Sequence, residues 1–448
     1  MPATSSEKAY NDDEAEQGVQ LGSGVHDQII ALDTFDSSRP NSTTSLQYPE
    51  GGTEAWLVVL GSFCALFLVF SVVNSTAVFQ AYLSTHQLQN ESTTSIAWIF
   101  SVNLFLAFFC GLYSGNVFDR HGPRLLVVFG SLALITSMML LGLCYEYWHF
   151  MLTYGVLGGV GGALLMTPAF ACIAHFFDRR RALATGLANT SGSVGGIIIP
   201  LMLQSLIDKI GFAWSTRVLG FLFIGLAIPA NLFLKTRLPV IPSSQSLWPD
   251  MSILRRPSFA ALSVGMFLME WGLFVVQTYI ASFAINSGET GISSYGIVAL
   301  LSAGSFFGRW LPGLLADRYG RFNVIITTIS LCCVTILAFW LPAGSSTALL
   351  VVFALSFGFA SGSNLGLIPV CISQLCSPEV YGRYLSTAYF VTSFGTLTSI
   401  PIGGAILETS RNDYKGLIIF AAMSYGCALL CYIASKGIAD GVSMKRKF

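Results

Sequence analysis

Two ionisable side chains stand inside long apolar runs: Glu270, in the run from Leu262 to Tyr279, and Arg309, in the run from Gly296 to Gly313. A guanidinium can hold a carboxylate through two parallel hydrogen bonds. A carboxyl group in such a run can bind and release a proton, or it can pair with an arginine or hydrogen-bond a facing helix. A charge at the middle of a membrane costs on the order of 2.5–3.5 kcal/mol on insertion scales, so Arg309 should face a cavity or a partner. The alternative for Arg309 is that it snorkels to the nearer interface, helped by Trp310 beside it. Asn74, Asn103, Gln277 and Asn364 are neutral polar side chains in other apolar runs. Each either lines the same path or ties helices together, a bond worth well under about 2 kcal/mol.

A second kind of chemistry occurs twice. Gly115-Asn116-Val117-Phe118-Asp119-Arg120-His121-Gly122-Pro123-Arg124 is echoed 198 positions later by Gly313-Leu314-Leu315-Ala316-Asp317-Arg318-Tyr319-Gly320-Arg321. Each reads as a charged hairpin between two apolar runs. An aspartate there can accept hydrogen bonds from a neighbouring helix N-terminus, where the helix dipole favours negative charge, or pair with arginine. Asp119, Arg120 and Arg124, with Asp317, Arg318 and Arg321, are the charged residues of the two copies. The bland alternative is that the basic residues only fix orientation.

The elements that position these residues follow from length and hydropathy. The chain is 53% hydrophobic and 10% charged, far from the composition of a soluble protein. A helix needs about 20 apolar residues to cross a bilayer, which predicts twelve spans: 56–82, 94–115, 124–144, 149–173, 183–204, 214–234, 258–284, 293–314, 323–341, 346–372, 383–406 and 416–435. With both termini inside, the cytosolic segments collect 18 of the 23 Lys and Arg; the outer loops receive only Lys209, Arg217, Arg411 and Lys415. Pro168 is matched by Pro369, Pro200 by Pro401 and Arg181 by Arg383. The expected fold is thus all-α and membrane-integral, with twelve transmembrane helices in two six-helix halves of parallel orientation.

The halves are placed at 55–235 and 258–436, joined by a cytosolic linker at 236–257. Residues 1–54 hold ten Asp and Glu against two basic residues, and read as a disordered, acidic cytosolic tail. Residues 437–448 form a basic cytosolic tail. Nothing in the sequence resembles a nucleic-acid stripe. The ten cysteines show no Cys-x-x-Cys, and no metal or other cofactor is indicated. The glycines at 155, 158, 159, 161 and 162 follow no strand and read as close helix packing, not a nucleotide loop. Of four Asn-x-Ser/Thr matches, only Asn90 faces outward, as a glycosylation candidate.

The paired motifs resemble the Gly-x-x-x-Asp-Arg-x-Gly-Arg signature of the major facilitator superfamily, the second copy more closely. Glu50-Gly51-Gly52 followed by Trp56, and His175-Phe176-Phe177-Asp178-Arg179-Arg180-Arg181-Ala182-Leu183-Ala184-Thr185-Gly186, resemble segments of its monocarboxylate porters, in the style of the fungal branch. The resemblance spans about residues 50–436. It implies a secondary active transporter of a small organic anion working by alternating access, with protons as a candidate coupled ion and with Asp119, Arg120, Arg124, Asp317, Arg318 and Arg321 as the gate that latches the two halves on the cytosolic side. It further implies a monomer in the plasma membrane. An exporter of a secondary metabolite and a non-transporting nutrient sensor are the alternatives. An enzyme is disfavoured, because no His, Asp, Glu or Cys cluster occurs at one depth. Two departures stand out: the first span lacks the lysine that animal lactate carriers place there, and Ser305 stands where they place an acid, four residues before the arginine of the eighth span.

Overall fold

In the computed structural model, twelve helices are long and apolar enough to cross a membrane. The structure describes residues 48–237, 251–286, 294–344, 346–377, 380–410 and 413–440. The first six helices are α1 (Gly52–Thr85), α2 (Ser95–His121), α3 (Arg124–Leu141), α4 (Tyr147–Phe176), α5 (Arg181–Ile210) and α6 (Phe212–Phe233). The second six are α7 (Pro257–Ala284), α8 (Gly296–Tyr319), α9 (Arg321–Trp340), α10 (Thr347–Ile372), α11 (Tyr381–Thr409) and α12 (Lys415–Asp440). No strand occurs among the described residues. Helices are the form that leaves no backbone polar group unpaired in lipid.

Each set of six packs mainly on itself. In the first, α1 runs against α4, α5 and α6; in the second, α7 runs against α11 and α12, and α8 lies along α10. The two sets meet along two equivalent seams, α2 on α11 and α5 on α8. The prolines singled out in the sequence, Pro168, Pro200, Pro369 and Pro401, all lie inside helices. Most of the expected tail 1–54 and the last eight residues lie outside the described residues, as does 238–250 of the linker. The rest of the linker ends in a short 3-10 turn, Met251–Arg255.

One expectation needs correction. Asp119, Arg120, Asp317 and Arg318 are not in hairpin loops but in the last turns of α2 and α8. The turns themselves are far shorter, because Gly122 (φ 76°) and Gly320 (φ 101°) take left-handed backbone conformations that end the helix abruptly. Charged residues continue the helix readily once they have left the apolar layer, so apolarity alone ended the predicted spans too early. The aspartates are therefore held on rigid helical backbone.

Candidate functional site

At the end of the bundle that carries the two motifs, each half grips the other with a carboxylate. Asp119 on α2 accepts hydrogen bonds from the backbone N–H groups of Gly382 (3.2 Å) and Arg383 (3.1 Å), which open α11. Asp317 on α8 does the same for Ala182 (3.0 Å) and Leu183 (2.9 Å), which open α5. The first N–H groups of a helix have no partner within it, and the dipole concentrates positive charge there. A carboxylate satisfies both needs with charge-assisted bonds. Close approach requires glycine: a Cβ on Gly115 would lie 2.3 Å from the carbonyl oxygen of Gly382, and one on Gly313 2.5 Å from that of Ala182.

Arg321 strengthens the α5–α8 side. It donates to the carbonyl of Asp178 and pairs with the Asp178 carboxylate at 3.7 Å, while Arg181 approaches the same carboxylate at 3.5 Å. Arg120, Arg124 and Arg318 stand exposed at this end, Arg318 lying over the ring of Tyr319 at 5.6 Å. They take part in neither of the ion pairs found among the described residues.

Glu50 has a structural role that the sequence reading did not assign. Its carboxylate accepts from the consecutive N–H groups of Asp178 (2.9 Å), Arg179 (2.6 Å) and Arg180 (3.2 Å). Its backbone φ of 52° is left-handed, an uncommon state for a residue with a side chain. The signal was present in the Glu-Gly-Gly run ahead of the first span.

Deeper in the bundle, Arg309 lies on the α5–α8 seam and is 9% exposed. Its Nη1 donates to the backbone oxygen (2.7 Å) and the side-chain Oδ1 (3.1 Å) of Asn189, on α5 of the other half. Its Nε donates to Ser305 Oγ at 3.2 Å, one turn earlier on α8. The guanidinium also lies 5.4 Å from the centre of the Phe70 ring on α1. No carboxylate pairs with it among the described residues. Asn189 Nδ2 is buried with no hydrogen-bond partner. Asn74 is close by, donating to Gly192 O at 2.9 Å. The arrangement is a cation held by neutral groups from both halves, beside an unused amide donor. Its chemical capacity is to receive an anionic or strongly accepting group.

The remaining candidates separate. Asn103 donates to Tyr154 O at 2.8 Å, inside the first half. Gln277 is exposed on α7, whereas Glu270, seven residues earlier on the same helical face, is 1% exposed. Asn364 is fully buried, beside the Tyr425 hydroxyl and the Cys332 thiol of the same half. Asn90 is exposed just after α1, at the end away from the motifs. Asn189 and Phe70 were missed because a lone Asn-x-Ser/Thr match and a phenylalanine in an apolar run carry no distinguishing signal. No cluster of three or more His, Cys, Asp or Glu suited to a metal occurs among the described residues.

Residues 58–400 and 313–435 match the family described as Major Facilitator Superfamily. The chain is 33% identical to the riboflavin transporter MCH5 of Saccharomyces cerevisiae, over 98% of this chain and 89% of that protein. It is 36% identical to the fujikurins efflux protein of Gibberella fujikuroi, over 84% and 81% of the two chains. It is 35% identical to the aspyridones efflux protein apdF of Emericella nidulans, over 87% and 80%. Among solved structures, the FucP transporter in the outward conformation superposes with a TM-score of 0.66 at 16% identity, covering 84% of this chain and 98% of that one. The human organic anion transporter MFSD10 gives 0.66 at 15% identity, covering 86% and 100%. At such identities the structural likeness shows the fold alone.

Proposed function

The chain belongs to the Major Facilitator Superfamily and is a multi-pass membrane transporter; from that premise we propose that it carries a small organic anion, a monocarboxylate or similar metabolite, by alternating access of its two halves. The observation that supports this reading is Arg309: a buried cation on the seam between halves, bonded to Asn189 across it, with no carboxylate of its own. A cargo carboxylate bound there touches both halves and supplies the missing negative charge. Asn189 Nδ2 and Asn74 offer further donors, and Phe70 an aromatic wall.

In this reading the carboxylates of Asp119 and Asp317 are the gate. On the same reading the motif-bearing end is closed while the two carboxylates hold the starts of α11 and α5, and the carrier opens there when both leave them. The same end faces the cytosol in the proposed orientation, which the concentration of basic residues there supports. The carrier works as a monomer in the plasma membrane, and Asn90, at the opposite end, is accessible to glycosylation.

A second reading concerns direction. Two similar proteins are named as efflux proteins, one of fujikurins and one of aspyridones, which supports export of an acidic secondary metabolite as the second reading. Uptake and efflux of a labelled panel of organic acids and larger acidic metabolites, in vesicles of both orientations, tests both readings. Transport of an anion that Arg309→Ala abolishes supports the carboxylate-holding role. Transport that persists in Arg309→Ala, or cargo that is uncharged, overturns it.

A further inference from the structure

Helix α5 is interrupted at Thr190. One segment, Arg181–Asn189, ends there, and a second, Ser191–Ile210, begins directly after it. The bonding around the break is that of a tightened turn. The Thr190 N–H is shared between the carbonyls of Gly186 (3.1 Å) and Leu187 (3.2 Å), and its Oγ1 donates to Leu187 O at 2.6 Å. The Thr190 carbonyl in turn takes the N–H groups of Ser193 and Val194, each at 3.0 Å. Tightening of this kind within a helix often marks a hinge. The two segments also lie on different halves. Arg181–Asn189 packs chiefly on α8, whereas Ser191–Ile210 packs chiefly on α1. The equivalent helix of the second half, α11, runs unbroken from Tyr381 to Thr409.

Helix α8 holds the short segment at both ends. Asp317 accepts from the N–H groups of Ala182 and Leu183 at its start. Arg309 donates to the carbonyl of Asn189, its last residue, at 2.7 Å. A helix is positive at its start and negative at its end, so each end meets the charge that suits it. The two side chains stand eight residues apart on α8, about 12 Å along the axis. Between and beside them the backbones are in contact. A Cβ on Gly186 would lie 2.3 Å from Arg309 O, one on Gly313 2.5 Å from Ala182 O, and one on Gly192, just past the break, 2.5 Å from Arg309 Nη1.

A helix of nine residues has little stability of its own and takes its order from what it packs against. We propose that Arg181–Asn189 is a latch, hinged at Thr190 and docked on α8 as one body, in which the Arg309 grip and the Asp317 grip strengthen each other. Coupling of this sort is reciprocal: weakening either end loosens the other. An anion that draws Arg309 away from Asn189 therefore loosens the Asp317 cap and favours opening at the motif-bearing end. That last step rests on the anion reading of Arg309; the coupling of the two grips does not.

The test follows backbone hydrogen exchange by mass spectrometry in the purified full chain, in lipid nanodiscs without cargo. The parent is compared with Arg309→Gln and with Gly186→Ala, which crowds the docked face while leaving both charges in place. In Arg309→Gln the amides of Ala182 and Leu183, at the far end of the segment, should exchange roughly fivefold faster or more, the lower range of ordinary coupling between sites. Gly186→Ala should give the same rise, and Ser191–Ile210 should keep the parent's rate in both. Faster exchange confined to the neighbourhood of Asn189 in Arg309→Gln overturns the latch, because the two grips are then independent. A rise that runs on through Ser191–Ile210 also overturns it, because α5 then moves as a single rod. With no cargo present, either failure leaves the anion reading of Arg309 untouched.

Discussion

Ser305 Oγ accepts a hydrogen bond from Nε of Arg309 at 3.2 Å, from the position one helical turn away where an acid would neutralise the guanidinium. The serine orients the cation without cancelling its charge. Installing the acid should therefore silence the anion site. Ser305→Asp is expected to raise the KM for an anionic cargo tenfold or more, equivalent to about 1.4 kcal/mol of lost binding, while Ser305→Ala changes it only a few-fold. Transport kinetics of the three proteins decide the point. An unchanged KM in Ser305→Asp means that the cargo does not use the charge of Arg309.

The two aspartate caps make a paired prediction. Each carboxylate takes two backbone N–H groups across the seam, and hydrogen bonds to a charged group contribute about 1.5–3 kcal/mol each. Asp119→Asn and Asp317→Asn retain one acceptor oxygen but lose the charge. Each should shift the population toward the state open at the motif-bearing end by roughly tenfold, about 1.4 kcal/mol. Distances between spin labels on exposed Arg124 and Tyr319 should lengthen in both variants. A distribution unchanged from the parent would show that the caps are structural trim and not a gate.

Much of this was legible in the sequence, and the limits have physical causes. The twelve spans follow from apolar length because lipid permits little else. The repeat of Asp119 at Asp317 exposed both caps in advance, and the idea that they accept from helix starts agrees with the contacts found. What could not be read was which helix start each would meet, since Gly382 and Ala182 are distant in sequence and brought close only by packing of the halves. Arg309 was visible as a charge out of place; Asn189, its partner, was not, because an asparagine in a membrane helix serves more often as glue. Glu50 was visible in the Glu-Gly-Gly run, but its partners were not, because they lie 128–130 residues away.

Glu50 yields a prediction about order rather than cargo. Its carboxylate gathers three N–H groups of residues 178–180, the segment that presents Asp178 to Arg321. Glu50→Ala orphans those donors and should weaken the α5–α8 side of the seam as Asp317→Asn does. Thermal unfolding in detergent is expected several degrees lower than for the parent, with the label distance lengthened. If Glu50→Ala unfolds at the parent's temperature and keeps its distance, the bonds contribute nothing to the gate.

Asn103 separates packing from cargo contact. Its Nδ2 donates to Tyr154 O at 2.8 Å, and it is 4% exposed, wholly within the first half. Tyr154 is itself anchored to α1 by its hydroxyl, which donates to Val72 O at 2.6 Å. The asparagine thus holds α2 to α4, which is tied in turn to α1, away from the seam that carries Arg309. Asn103→Ala removes one interhelical bond, worth on average about 0.6 kcal/mol in membrane proteins, and leaves the carbonyl of Tyr154 without this donor. Unfolding should shift downward slightly, while the KM for any anion stays within twofold. Asn189→Ala should do the reverse, raising KM severalfold with little change in unfolding. Equal effects of the two variants on KM would place the cargo within the first half and remove the seam site from the mechanism.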